Sequence, residues 1–374
     1  MRILYFSPIY WDDLKQRPQH IAEELSKEHE IIFVEPSISL FRSLFIRTKD
    51  FQEKISIISD NLRVYRPSGI LNIPRSLDIF SLNKYIETYK FREYIEWCDV
   101  IWLGSPIFYS IIANEPIKKT VYDKMDDYAA LTTNPILKKV ITMQEQKLVK
   151  RADIIFVSSE KLITSFMESL NKKIKIIRNG IDVNNLYSTA FPENIVEKIV
   201  SLKEQGNIIF GYIGTVDHWF DYDAIKVIIG KKTNFHVVIV GRDNVKANRL
   251  KSKQLHYYEP VSKDKLFAVI ECFDYSLYPF KKSQMLDTIN PVKIYEYLAC
   301  NQKVISVKSS ETIRFNSLNI YANYTELDII LDNLQSIDKP FDMLKLDDFL
   351  EKNSWNYIRA KIEHTLKVEL NCGQ

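Results

Sequence analysis

The segment Asn290-Pro291-Val292-Lys293-Ile294-Tyr295-Glu296-Tyr297-Leu298-Ala299 decides how the chain is read. It opens like a helix. Asn290 can accept a hydrogen bond from a free N–H of a first turn, and Pro291 suits the first helical position, where no N–H is needed. Ile294 and Leu298 stand one turn apart and form an inward apolar stripe. Lys293 and Glu296 share a face. A cation in a first turn opposes the helix dipole. Lys293 therefore makes most sense beside an anion, held jointly by its ammonium and the free N–H groups. Glu296, a turn deeper, can accept bonds from a diol. Phosphate above and ribose below describe a nucleotide. The alternative is a surface helix with a Lys–Glu pair.

Around this segment the composition sets bounds. A chain of 374 residues is too long for one small domain, so two are expected. A hydrophobic fraction of 46% supplies two cores. Cys98, Cys272, Cys300 and Cys372 form no CxxC and no metal-ligand spacing, and read as reduced thiols of a cytosolic protein. The start, Met1 to Phe6, reads as a first strand and not as a signal peptide. No apolar run approaches the ~20 residues that span a bilayer. A net charge of +3 is too slight to imply nucleic acid.

Residues 3–8, a helix from Pro18 through Leu25 and a strand at Glu30–Val34 make a βαβ beginning. It lacks GxGxxG, which argues against a dinucleotide-dependent oxidoreductase. Trp11, Arg17 and His20 fall at the carboxyl ends of the strands, where doubly wound sheets bind ligands; the alternatives are a packing tryptophan and a solvated histidine. Residues 38–49 (ISLFRSLFIRTK) form a basic amphipathic pattern, suited to an anionic membrane surface or to packing on the sheet. A strand ending at Tyr122 puts Asp126 and Asp127 on the loop leaving it. Neighbouring carboxylates repel and raise one pKa, which suits a general base; either acid could instead cap the next helix. With no third acid or histidine beside them, a metal site is not expected.

A helix over 136–150 and strands over 152–157 and 174–177 complete the first half. Asn179-Gly180 marks a turn, and a linker is expected to about Gly206. In the second half a strand over 207–213 runs into Gly214-Thr215, where glycine lets a phosphate approach the backbone. Asp221 is the expected cap of a helix through Ile229. Strand Phe235–Val240 ends in Gly241-Arg242, and Arg242 could clamp a phosphate by a forked contact or sit in a plain surface turn. The tail 355–366 has helical spacing in Trp355, Ile358, Ile362 and Leu366.

The 290–299 segment, followed by the strand-like run 301–307, resembles the donor-site helix of GT-B glycosyltransferases. The nearest match is the family-4-like group that builds bacterial surface polysaccharides, the teichuronic-acid type among them. Residues 179–182, 122–127 and the Trp11 to His20 loop resemble further segments of the group. The resemblance implies an α/β chain of two Rossmann-like, doubly wound domains facing a cleft. An acceptor-binding domain would span 1–180, a donor-binding domain 181–353, and a C-terminal helix, 354–369, would return to the first. It implies that Glu296 holds the ribose and Lys293 the diphosphate, with Asn290, Gly214, Thr215 and Arg242 around the nucleotide and backbone near Val261 at the base. Asp126 or Asp127 would serve as base; Trp11, Arg17 and His20 would meet the acceptor. Many members carry a second Glu eight positions before the first; here Thr288 stands there, beside Asp287, as the donor-sugar candidates. The expected partners are a nucleotide-sugar, with uridine the usual base, and a saccharide or lipid-linked saccharide acceptor. No cofactor or metal is expected. The expected place is the cytoplasm, at the inner face of the cell membrane if residues 38–49 touch lipid. The rival readings are a sugar-nucleotide epimerase of the same architecture, a non-catalytic nucleotide-sugar-binding subunit, and a membrane-surface scaffold.

Overall fold

A computed structural model of the chain describes residues 1–36, 53–67, 82–113, 118–166, 168–188, 190–246 and 249–370. The basic amphipathic stretch 38–49 lies outside the described residues. The chain divides into two compact units, Met1–Arg178 with Trp355–Gln374, and Asn179–Ser354.

The first unit is built on an eight-stranded sheet of order β3-β4-β2-β1-β5-β6-β7-β8. Its strands are β1 (Arg2–Phe6), β2 (Glu30–Val34), β3 (Lys54–Ser59), β4 (Leu62–Arg66), β5 (Val100–Leu103), β6 (Lys119–Lys124), β7 (Ile154–Val157) and β8 (Ile174–Ile176). All pairings are parallel except that of β3 with β4. Continuous apolar runs such as Val100-Ile101-Trp102-Leu103 suit parallel strands covered on both faces. Two apolar clusters lie on the two faces of the sheet: alternate residues of β1, Ile3 and Tyr5 against Leu4 and Phe6, belong to different ones. Tyr5 stacks between Phe33 and Trp102 at 5.4 and 5.5 Å. Helix α1 (Arg17–Leu25) links β1 to β2, and α2 (Pro135–Arg151) links β6 to β7. Asn134 caps α2 by accepting from the N–H groups of Ile136 and Leu137.

The second unit has a six-stranded, wholly parallel sheet of order β11-β10-β9-β12-β13-β14. Its strands are β9 (Ile208–Ile213), β10 (Phe235–Val240), β11 (Leu255–Tyr258), β12 (Tyr275–Tyr278), β13 (Val304–Val307) and β14 (Asn319–Tyr321). Helix α3 (Tyr222–Lys231) is capped by Asp221, whose carboxylate accepts from the N–H groups of Asp223 and Ala224. A short helix α4 (Gln284–Thr288) precedes α5 (Val292–Ala299). The expected linker, 179 to about 206, is instead part of this unit. It holds two helices, Val183–Leu186 and Glu193–Glu204, and the second sends Ile195, Ile199 and Leu202 into the core. The apolar spacing 195, 199, 202 explains why: it is one helical face.

The last helix, α6 (Trp355–Leu370), belongs to the first unit. It buries Trp355, Ile358, Ile362, Leu366 and Leu370 beside α1. The Arg359 guanidinium lies 3.7 Å from Glu24 and 3.2 Å from Glu363. No helix among the described residues is long and apolar enough to cross a membrane.

Candidate active site

In the second sheet the strand order reverses at β9, which is flanked by β10 and β12. The crevice outside the carboxyl ends at such a switch point is where open α/β sheets hold ligands. The residues singled out in the second half gather along this edge. Gly214 and Thr215 follow β9, Arg242 follows β10, Val261 follows β11, and Asp287, Thr288 and α5 follow β12. Gly214 has φ 154° and Gly241 φ 150°, conformations that favour glycine. A Cβ on Gly241 would come within 2.1 Å of the Gly214 carbonyl oxygen. The two strand ends therefore meet backbone to backbone, and a side chain would separate them.

Helix α5 is fixed against this edge. The Tyr297 hydroxyl accepts from the N–H of Ile213, the last residue of β9, at 3.0 Å. Lys293 passes over Gly214, with its Cε 3.5 Å from where a Cβ would stand. Its ammonium donates to Glu296 at 2.7 Å. The two side chains are only 26% and 14% exposed, so this pair faces the strand ends and not open solvent. The Lys–Glu pair of the surface-helix alternative is present, but it is seated at the switch point.

Asn290 differs from expectation. The helix begins one residue later than the sequence suggests: Pro291 occupies the cap position and no side chain caps it. Asn290 is 4% exposed and its amide is committed elsewhere. Its oxygen accepts from the Asn179 N–H at 2.8 Å, and its nitrogen donates to Tyr295 and Glu311 at 3.2 and 3.1 Å. Long-range partners have overridden the local capping preference. Asp287 is also engaged, accepting from the Ser310 N–H and hydroxyl at 2.8 and 3.0 Å. The Thr288 hydroxyl donates to the Met285 carbonyl at 2.8 Å.

In the first unit β6 runs two residues further than expected, through Asp123 and Lys124, each 1% exposed. Asp123 receives Arg17: Nη2 lies 2.8 Å from Oδ1, and Nε lies 3.1 Å from both oxygens. Arg17 also donates to the carbonyl oxygens of Ile177 and Arg178 at 2.7 and 3.3 Å. It is thus a buried internal clamp and not an exposed loop residue. His20, expected as an acceptor contact or a solvated residue, is 7% exposed and stacks on Trp355 at 4.7 Å. Trp11 packs edge-on against Phe33 at 4.9 Å. Asp123 was the missed residue, and its signal was available. It shares a face with Val121, a core residue, and a carboxylate at a core position of a strand needs a buried cation.

Asp126 and Asp127 follow β6 and are unlike each other. Asp127 serves a local turn, its carboxylate accepting from the Ala130 N–H at 3.1 Å; Asn134, not an acid, caps the next helix. Asp126 is partly buried, and burial pushes its carboxyl up to about 7. Arg17 opposes that rise, while Asp127 and Asp123 add to it. Desolvation is thus the larger cause, ahead of the repulsion between neighbours that the sequence suggests. A carboxylate poised near neutrality can take a proton from a hydroxyl.

No protein-family model matches the chain. It is 23% identical over 356 residues to a candidate teichuronic acid biosynthesis glycosyltransferase, TuaH, of Bacillus subtilis (strain 168), covering 88% of this chain and 85% of that one. Among solved structures it matches the trehalose-6-phosphate synthase OtsA with a TM-score of 0.71 at 12% identity, over 98% of this chain and 99% of that one. It matches a sucrose-phosphate synthase from Thermosynechococcus elongatus with a TM-score of 0.70 at 11% identity over the whole of both chains. Anabaena Alr3699/HepE, solved with UDP and glucose, matches with a TM-score of 0.63 at 14% identity, over 98% of this chain and 99% of that one. At such identities the solved structures speak for the fold.

Proposed function

We infer that this chain, which has the GT-B fold, is a glycosyltransferase that moves a sugar from a nucleotide-sugar donor to a hydroxyl of a saccharide acceptor. The observation that carries the reading is the placement of Lys293 and Glu296 together at the β9–β12 switch point, over the bare backbone of Gly214. Such a site suits a nucleoside diphosphate. The ammonium and the first-turn N–H groups of α5 take the phosphates, and the Glu296 carboxylate takes the ribose hydroxyls. On binding, the Lys293–Glu296 pair gives way to these two contacts. The complex of Alr3699/HepE with UDP and glucose, and the biosynthetic role in the name of TuaH, favour a UDP-sugar and a surface-polysaccharide acceptor.

In the proposed reaction an acceptor hydroxyl oxygen bonds to the anomeric carbon as the bond from that carbon to the diphosphate breaks. The hydroxyl proton passes to Asp126. The leaving diphosphate gains negative charge, and Lys293, Arg242 and the start of α5 stabilise it there. That arrangement supplies the positive charge that a metal ion would otherwise bring. A lipid-linked acceptor at the inner face of the membrane fits the basic stretch 38–49.

Titration with UDP tests the donor site. Lys293→Ala and Glu296→Ala should each weaken binding by ~1–3 kcal/mol. Unchanged affinity in both variants would remove the assignment. Product analysis separates the rival readings: an epimerase converts the donor without acceptor, and a binding subunit transfers to none.

A further inference from the structure

A groove of ≈ 830 Å³ runs along the free edge of the first unit's sheet. It is lined by β8, by Ile163 and Asn171 before that strand, and by Tyr357, Ala360 and Lys361 of α6. Ile163, Ile174 and Ile176 pack on the cluster of one sheet face, and α6 on the cluster of the other, so the strand edge lies between two walls. Among the described residues β8 pairs with β7 alone. The Ile177 N–H donates to the Val157 carbonyl at 2.9 Å. Successive residues of a strand turn their N–H and C=O groups to opposite sides. The Ile176 N–H and the carbonyls of Ile174 and Ile176 therefore point to the open side. The charge of the groove has one sign: its lining holds Lys175, Lys361 and His364 and no acid. Lys175 is neutralised by Glu369 at 2.6 Å. Lys361 and Lys172, which is next to Asn171, are exposed and have no carboxylate partner among the described residues.

We propose that this edge takes an extended, acidic segment of a partner protein as an added strand. The segment's backbone meets the open groups of Ile174 and Ile176, its apolar side chains enter the groove, and its carboxylates accept from Lys172 and Lys361. The backbone decides against an acyl chain, which would cover those N–H and C=O groups without pairing them. The charge decides against a second copy of this chain, which would set the same lysines edge to edge.

The test is fluorescence anisotropy of a labelled peptide of alternating valine and glutamate, about six residues long as in an ordinary strand, titrated with the full chain. It should bind saturably, and the same peptide N-methylated on alternate amides should not. Ile176→Pro removes the outward N–H and keeps the ladder to β7, as edge strands allow; it should abolish binding. Lys172→Glu with Lys361→Glu, two exposed changes, should weaken binding roughly tenfold, the scale of two solvent-accessible ion pairs. No saturable binding by the unaltered chain overturns the proposal. Equal binding of the N-methylated peptide overturns strand addition. Equal binding of a valine–lysine peptide, or of the glutamate peptide by the double variant, overturns the acidic partner. A dimer of the free chain in sedimentation that Ile176→Pro dissolves would give the edge to a second copy and overturn the proposal likewise.

Discussion

In the proposed reaction Asp126 ties the chemistry to pH. Its folded carboxyl is pushed up to about 7 from an ordinary 3.8. Between those values the folded chain keeps a proton that the unfolded chain has lost. Stability therefore falls as pH rises through that window and is level above it. Asp126→Asn should flatten this slope and raise stability at pH 8 by on the order of 1 kcal/mol, read from melting temperature against pH. Transfer should rise with pH through about 7 in the unaltered chain and drop roughly 10²–10⁴-fold in the variant. A near-normal rate in Asp126→Asn would exclude it as the base. At this scale the sequence was only partly readable. That Lys293 and Glu296 would share a face followed from spacing alone. That Arg17 and His20 would turn inward did not, because their partners, Asp123 and Trp355, lie 106 and 335 positions away.

Elements were more legible than residues. Strands Glu30–Val34, Val100–Leu103 and Phe235–Val240 are announced by the apolar runs 31–34, 100–103 and 237–240 and end where those runs end. Asn290 does not cap α5, because its amide answers to the Asn179 N–H, the Tyr295 hydroxyl and Glu311 and not to the N–H groups of the first turn. The glycines at the strand ends test the element level. At Gly241 an added Cβ meets the Gly214 backbone at 2.1 Å, in a conformation that already disfavours alanine. Gly241→Ala should cost more than about 1 kcal/mol in stability and should weaken UDP binding by pushing β9 and β10 apart. Gly230→Ala, inside α3 with open space around it, is the control. It should be neutral or stabilising by up to about 1 kcal/mol. Equal denaturation midpoints for the two variants would contradict the close contact.

At the scale of the whole molecule, the chain passes between its units twice, at Arg178–Asn179 and at Ser354–Trp355. Each passage is anchored on both sides. In the first unit α1 holds both, with Arg17 on the carbonyls of Ile177 and Arg178 and His20 stacked on Trp355. In the second, Asn179 is tied to Asn290, and the Ile181 N–H donates to Asn353 at 2.8 Å. Two of the three residues read from sequence as acceptor contacts, Arg17 and His20, therefore grip the crossings. Truncation after Ser354 should strip five buried side chains from the first unit, a loss of roughly 7–15 kcal/mol at ~1.5–3 kcal/mol each. That exceeds or matches the stability of most domains. Calorimetry should show the first unit's transition missing while the second's survives. Two intact transitions would show that α6 is dispensable.

The return of α6 also sets an order of events during synthesis. The second unit is one uninterrupted stretch, 179–354, and can close its core while translation is still under way. The first unit, although its sheet is made earlier, must wait for residues 355–370 to leave the ribosome before Trp355 and Ile358 reach their places beside α1. Of the two units, the one begun earlier is completed later, and its unfinished apolar face is the one a chaperone would meet.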